Sequence, residues 1–112
     1  MTLRGISEEL GLEVRCGHGS LDLEVTGGYV SDLLSDVIAH AEAGNLWITL
    51  QIHPNITAVA VLKELAGIVL INGREPEAET ARKAGEEGIP ILLSPQPAFV
   101  IAGKLFQLIG AE

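Results

Sequence analysis

The chain predicts an α/β domain, a three-layer sandwich in which a mostly parallel sheet of about four to six strands is flanked by helices. Three observations lead there. The second half alternates short apolar runs with segments of helical periodicity, which calls for parallel strands joined by right-handed crossovers. Leu46 to Ile52 is a nearly continuous apolar run, the pattern of a strand covered on both faces. Hydrophobic residues make up 47% of the 112 positions. That suffices for a core and is high for so short a chain. The excess is expected to meet a partner, a second copy being the simplest.

The elements follow in order. Leu3, Ile6 and Leu10 recur at helical spacing, with Thr2 as the N-cap and Gly11 as the stop. Leu12, Val14 and Cys16 alternate with polar residues and read as a half-buried strand. After the turn Gly17-His18-Gly19-Ser20, Leu21, Leu23 and Val25 alternate in the same way, so the two strands are expected to pair as a hairpin. Thr26-Gly27-Gly28 breaks the second strand. A helix is expected next, with Val30, Leu33, Leu34, Val37, Ile38 and Ala41 on its apolar face and Gly44 as its end.

After the Leu46–Ile52 strand comes the turn His53-Pro54-Asn55, with Asn55 placed as an N-cap. The helix from Ile56 to Leu65 is apolar nearly all round and should be well buried. Gly67 to Ile71 is a further central strand, leaving through Asn72-Gly73-Arg74. Pro76 suits the first turn of a charged outer helix that Gly88 ends. Ile89 to Leu93 is another strand. The last helix carries Phe99, Ala102, Leu105, Phe106 and Ile109 on one face and Val100, Ile101 and Leu108 elsewhere. Two apolar faces favour a dimer interface in addition to a core. Trp47 is most simply a core residue. No repeat or linker divides the chain, so residues 1–112 are expected to form a single domain.

Charge narrows the partners. The formal net charge is -8, and the basic residues are scattered from Arg4 to Lys104. Nucleic-acid binding needs basic clusters that displace counterions, and an acidic chain is repelled by an anionic membrane. Neither partner is expected. Cys16 is the only cysteine, and no signal-like apolar stretch follows Met1. A cytoplasmic location is the expectation.

The run Asp22-Leu23-Glu24-Val25-Thr26-Gly27-Gly28-Tyr29-Val30-Ser31-Asp32-Leu33-Leu34-Ser35-Asp36-Val37 resembles a DRTGG domain. Leu46-Trp47-Ile48-Thr49, then Gln51, His53 and Asn55, then Asn72-Gly73-Arg74 and Gly88-Ile89-Pro90-Ile91 extend the resemblance over nearly the whole chain. An uninterrupted Asp-Arg-Thr-Gly-Gly string is absent. DRTGG domains accompany CBS domains, including those of pyrophosphatases regulated by adenine nucleotides, and resemble the N-terminal domain of HPr kinase/phosphorylase. Some small stand-alone members sit near hydrogenase or sensor-kinase genes in anaerobic bacteria. The resemblance implies an α/β fold, homodimerisation, and a regulatory, ligand-binding role with an adenine nucleotide as a regulatory ligand. It also implies a larger enzyme or sensor kinase as a partner.

No motif for catalysis is self-contained. A P-loop needs its glycine-rich turn followed by Lys and Ser or Thr, and the chain has none. No catalytic residue, metal ligand set or resident cofactor is expected. In open parallel sheets ligands favour the crevice beyond the carboxyl ends of the strands. That rule gathers Thr26, Gly27, Gly28, Tyr29, Ser31, Gln51, His53, Asn55, Asn72, Gly73, Arg74 and Ser94 as the expected ligand-binding set. Arg74 is the best single candidate for holding a phosphate or carboxylate; a surface salt bridge with Glu75 or Glu77 is its competing role. His53 is either an acid–base group or a turn residue. Gly27-Gly28 either lets a ligand approach the backbone or makes a tight turn. Two other readings stay open: a docking or assembly protein that works through apolar helices, and an enzyme of the kinase or hydrolase type.

Overall fold

A computed structural model describes residues 1–110. The elements are α1 (Leu3–Leu10), β1 (Glu13–Cys16), a short 3-10 turn (His18–Ser20), β2 (Gly27–Val30), α2 (Leu34–His40), β3 (Asn45–Thr49), α3 (Asn55–Lys63), β4 (Gly67–Leu70), α4 (Ala78–Glu87), β5 (Ile91–Leu93) and α5 (Ala98–Ile109). The strands form one sheet in the order β1-β5-β4-β3-β2. β2, β3, β4 and β5 run parallel, and β1 joins β5 antiparallel. Helices cover both faces, so the three-layer α/β architecture is as the alternation predicts.

The period of two in each strand sorts the core. Leu46 and Ile48 of β3 point to one face, where Leu3 and Ile6 of α1 and Ile101 and Leu105 of α5 pack with Val69 and Leu92. Trp47 points to the other, against Val37 of α2, Ile56 and Ala60 of α3, Ala84 of α4, and Ile68 and Ile91. All five residues of β3 are buried, which explains its unbroken apolar run. The Trp47 indole N–H donates to Ser31 O at 2.8 Å, so its one polar group is satisfied.

Helix ends follow elementary rules where glycine is present. The Thr2 hydroxyl accepts from Gly5 N–H, and Gly11 closes α1 in the left-handed region at φ 64. Gly88 closes α4 at φ 71.

Several elements differ from expectation. Residues 21–25 form no strand. Their backbone bonds to the N-terminal segment instead (Leu3 N to Leu23 O, Arg4 N to Leu21 O, Val25 N to Met1 O), with an isolated bridge between Thr2 and Glu24. β1 is taken by the otherwise open edge of β5, which offers it a buried apolar partner strand. Thr26-Gly27-Gly28 does not end a strand; it leads into β2, the opposite edge of the sheet. The helix after it is shorter than the periodicity predicts, running only over α2, with Val37 and Ala41 buried. Val30 and Leu33 remain 50% and 64% exposed. Ser31 and Asp32 bond to β3, which holds that stretch extended and delays the helix.

Asn55 is the first residue of α3, not its cap. Pro54 occupies the cap position, with no side-chain cap bond. Val61 and Leu62 of α3 are exposed, so the helix is less buried than expected. Pro76 lies outside α4, whose cap is Glu77. In α5 the buried pair is Ile101 and Leu105, while Phe99 and Phe106 are 89% and 58% exposed. With apolar residues all round that helix, spacing alone could not select the inward face.

Candidate functional site

The carboxyl ends of the four parallel strands define one rim. At the end of β2, Asp32 Oδ1 accepts from Thr49 Oγ1 at 2.8 Å and from Leu50 N–H at 2.7 Å. Gln51 Nε2 donates to Asp32 O at 2.8 Å, and Leu33 N–H to Ser31 Oγ at 3.1 Å. Asp32 thus fastens the end of β2 to the end of β3, a role that no local pattern around it announces. At the end of β4, Asn72 and Gly73 both adopt positive φ, 58 and 71. This double left-handed turn folds the loop onto the end of β5: Asn72 N–H donates to Gln96 O and Gly73 N–H to Ser94 O, each at 3.0 Å. Ser94 is buried, and its hydroxyl accepts from Gln96 N–H at 3.1 Å.

Arg74 is the informative member of this rim. The two acidic residues nearest to it in sequence contact other side chains. Glu75 Oε1 lies 2.8 Å from Arg15 Nη1, and Glu77 Oε2 lies 2.7 Å from His53 Nδ1. Among the described residues Arg74 has no ion pair, whereas Arg4, Arg15 and Arg82 each have one or more. Its guanidinium is exposed with its donors uncommitted. His53, in turn, is tethered to the cap residue of α4. The remaining member, Asn55, is exposed at the start of α3.

Strand direction separates the other expected residues from this set. Thr26 and Gly27 stand at the amino end of β2, beside Gly44 and Asn45 at the amino end of β3. Thr26 N–H donates to Gly44 O at 3.0 Å, its hydroxyl donates to Ala43 O at 2.9 Å, and Asn45 Nδ2 donates back to that hydroxyl at 3.2 Å. The expectation that Thr26, Gly27 and Gly28 share a rim with Arg74 is therefore corrected. Tyr29 points to the face of α2, where its hydroxyl donates to Asp36 Oδ2 at 2.8 Å. That bond raises the tyrosine pKa. Hydrogen bonds first from Tyr29, then Ser31 and His40, hold the Asp36 carboxyl below its ordinary value.

Thr26, Gly27 and Gly28 instead line a half-open groove of about 730 Å³ between β2 and α5. Val30, Ile48, Leu105 and Phe106 line it with apolar side chains, and His40, Glu42 and Asn45 line it with polar ones. Gly28 makes the floor. A Cβ there would lie 2.8 Å from Leu105 Cδ2, so the Leu105 side chain rests directly on the Gly28 backbone. Sequence reading missed Leu105, Phe106 and Glu42 as groove residues, because nothing local links α5 to β2.

The described residues contain no cluster of three or more metal-ligating side chains. Cys16 is half-buried with Sγ 3.7 Å from Ile89 O, and burial pushes its thiol pKa up, the opposite of an activated nucleophile. No described helix is long and apolar enough to cross a membrane.

No protein-family model matches the chain, and no curated protein matches it. Among solved structures it is similar to the crystal structure of the CBS and DRTGG domains of the regulatory region of Clostridium perfringens pyrophosphatase, complexed with its activator, diadenosine tetraphosphate. The TM-score is 0.71 at 17% identity, over 93% of this chain and 45% of that one. The chain thus spans less than half the length of that neighbour. At this identity the likeness is one of fold.

Proposed function

We propose that the chain is a non-catalytic regulatory module that works as a cytoplasmic homodimer. It binds a small anionic ligand at the carboxyl rim around Arg74. The observation that carries this is the exposed guanidinium of Arg74, which makes no ion pair among the described residues, while Glu75 lies against Arg15 and Glu77 against His53. An open parallel sheet favours ligands at this rim. The fold neighbour was crystallised with an adenine dinucleotide activator, which makes adenine nucleotides the first class to test. The exposed Phe99 of α5, which does not line the groove, supports self-association. Ligand binding would favour one dimer geometry that a larger enzyme or sensor kinase reads.

A thermal-shift series with AMP, ADP, ATP and diadenosine tetraphosphate tests the reading. Ligand at about 100 times its Kd adds roughly 2.7 kcal/mol, a rise of several degrees. Arg74→Ala removes that rise without lowering the melting temperature of the free protein. If no nucleotide raises the melting temperature, or Arg74→Ala still responds in full, the reading fails. Sedimentation equilibrium tests the dimer separately.

A second reading, a docking or assembly protein, is favoured by the exposure of Leu33, Phe99 and Phe106. It predicts an unoccupied rim and co-purification with a larger enzyme from the native host.

A further inference from the structure

We propose that β2 and the groove beside it receive an extended segment of a partner protein by strand addition, the segment carrying alternating apolar and basic side chains. This site is independent of the rim around Arg74.

The two edges of the sheet differ. The β1 edge is guarded in the ways edges usually are. Its register is broken by a bulge between Val14 and Cys16, and Arg15 is held over it by Glu13 and Glu75. The β2 edge has none of these. Its sequence is Gly-Gly-Tyr-Val, without charge or proline, and its register against β3 is regular from Gly27 to Val30. Ser31 N–H donates to Ile48 O. Alternate residues of a strand face the same neighbour, so Tyr29 also faces β3. The amide and carbonyl groups of Gly28 and Val30 are turned to the open side.

Those groups require an extended backbone as their complement. The groove supplies what a four-residue edge lacks, an apolar floor of Val30, Leu105 and Phe106 for every second side chain of the incoming strand. Charge selects the rest. Glu42 lines the groove with no ion pair among the described residues, Met1 N is already held by Glu24 at 2.9 Å, and the chain carries a net charge of -8. A basic strand is drawn in and an acidic one repelled.

The test uses the full chain and a fluorescent octapeptide of alternating valine and lysine, with anisotropy and amide NMR as readouts. Saturable binding is expected, with slowed exchange of the Gly28 and Val30 amides. A peptide N-methylated on one backbone edge keeps the charge but loses its ladder bonds, and should bind at least about tenfold more weakly. The valine–glutamate peptide should not bind. Val30→Lys and Glu42→Lys, both at exposed positions, should weaken binding, and Arg74→Ala should leave it unchanged. Equal binding of the N-methylated peptide overturns the proposal, as does no binding of the valine–lysine peptide. Amide protection at Gly28 and Val30 that grows with protein concentration alone also overturns it, by giving the edge to a second copy.

Discussion

Gly17→Ala should destabilise the protein far more than Gly11→Ala, although both glycines sit at positive φ, 75 and 64. A Cβ at Gly17 would lie 2.5 Å from Pro90 Cα and N and 2.6 Å from Ile89 C. These are backbone atoms on the approach to β5, so no side chain can rotate away. At Gly11 nothing lies within 4 Å. Alanine in the left-handed region costs roughly 1–2 kcal/mol, offset by about 0.4–1 kcal/mol from a stiffer unfolded chain. That leaves about 1 kcal/mol for Gly11→Ala. Gly17→Ala adds an overpacking cost of roughly 1–3 kcal/mol, for a total of about 2–4 kcal/mol. A domain of this size loses roughly 4 °C per kcal/mol, so the melting temperatures should fall by about 4 °C and about 8–16 °C. Trp47, the only tryptophan and fully buried, reports unfolding in urea by its fluorescence. If the two variants lie within about 0.5 kcal/mol of each other, smaller than any overpacking cost assumed here, the steric account of the β1–β5 junction is refuted.

Thr57 Oγ1 is buried without a hydrogen-bond partner among the described residues, so Thr57→Val should stabilise by about 1 kcal/mol; a urea midpoint that falls contradicts this. Tyr29→Phe removes the largest of the bonds that lower the Asp36 pKa. A carboxyl held low in the fold adds stability above its ordinary range, lost as pH falls through the lowered value. The variant should therefore titrate Asp36 higher by carbon NMR and flatten the acid limb of the stability profile; an unmoved titration refutes the coupling. Cys16, with its thiol pKa raised by burial, should react with a disulfide reagent at neutral pH more slowly than a free thiol and speed up in urea. Reaction at the free-thiol rate in the folded protein would contradict that burial.

The parts of the fold legible in the sequence are those set by local chemistry or by full burial. The apolar runs of β3 and β4 could only be strands covered on both sides, and Gly11 and Gly88 ended helices because their φ is positive. The misread parts are those that distant neighbours decide. Leu12 to Cys16 and Leu21 to Val25 both alternate, but only the first finds an open strand edge. Val30, Leu33, Val37 and Ala41 fit one helical face as numbers, yet Asp32 and Trp47 bind the first part of that stretch to β3. In α5 apolar residues fall on several faces, so the inward pair is set by distant neighbours: Leu105 meets Gly28, and Ile101 joins the core with Leu3 and Ile6.

Strand direction explains why the expected binding set splits in two. A Gly27-Gly28 pair that followed a strand and opened the next helix would lie at a carboxyl end. Because the pair begins β2, it lies at the opposite end from Ser31. Four residues at about 3.3 Å each place the two ends roughly 13 Å apart. Val30 stands at the rim end of β2, and it is separated from Arg74, which follows β4, by two strand spacings, roughly 10 Å. A ligand held by Arg74 and a strand laid along Gly28 and Val30 therefore share no contacting residue. Energetic effects at such separation add within a few tenths of a kcal/mol. Combining Arg74→Ala with Val30→Lys should then give the product of the single effects. Marked non-additivity would mean that the β2–β3 junction at Asp32 transmits between the two places.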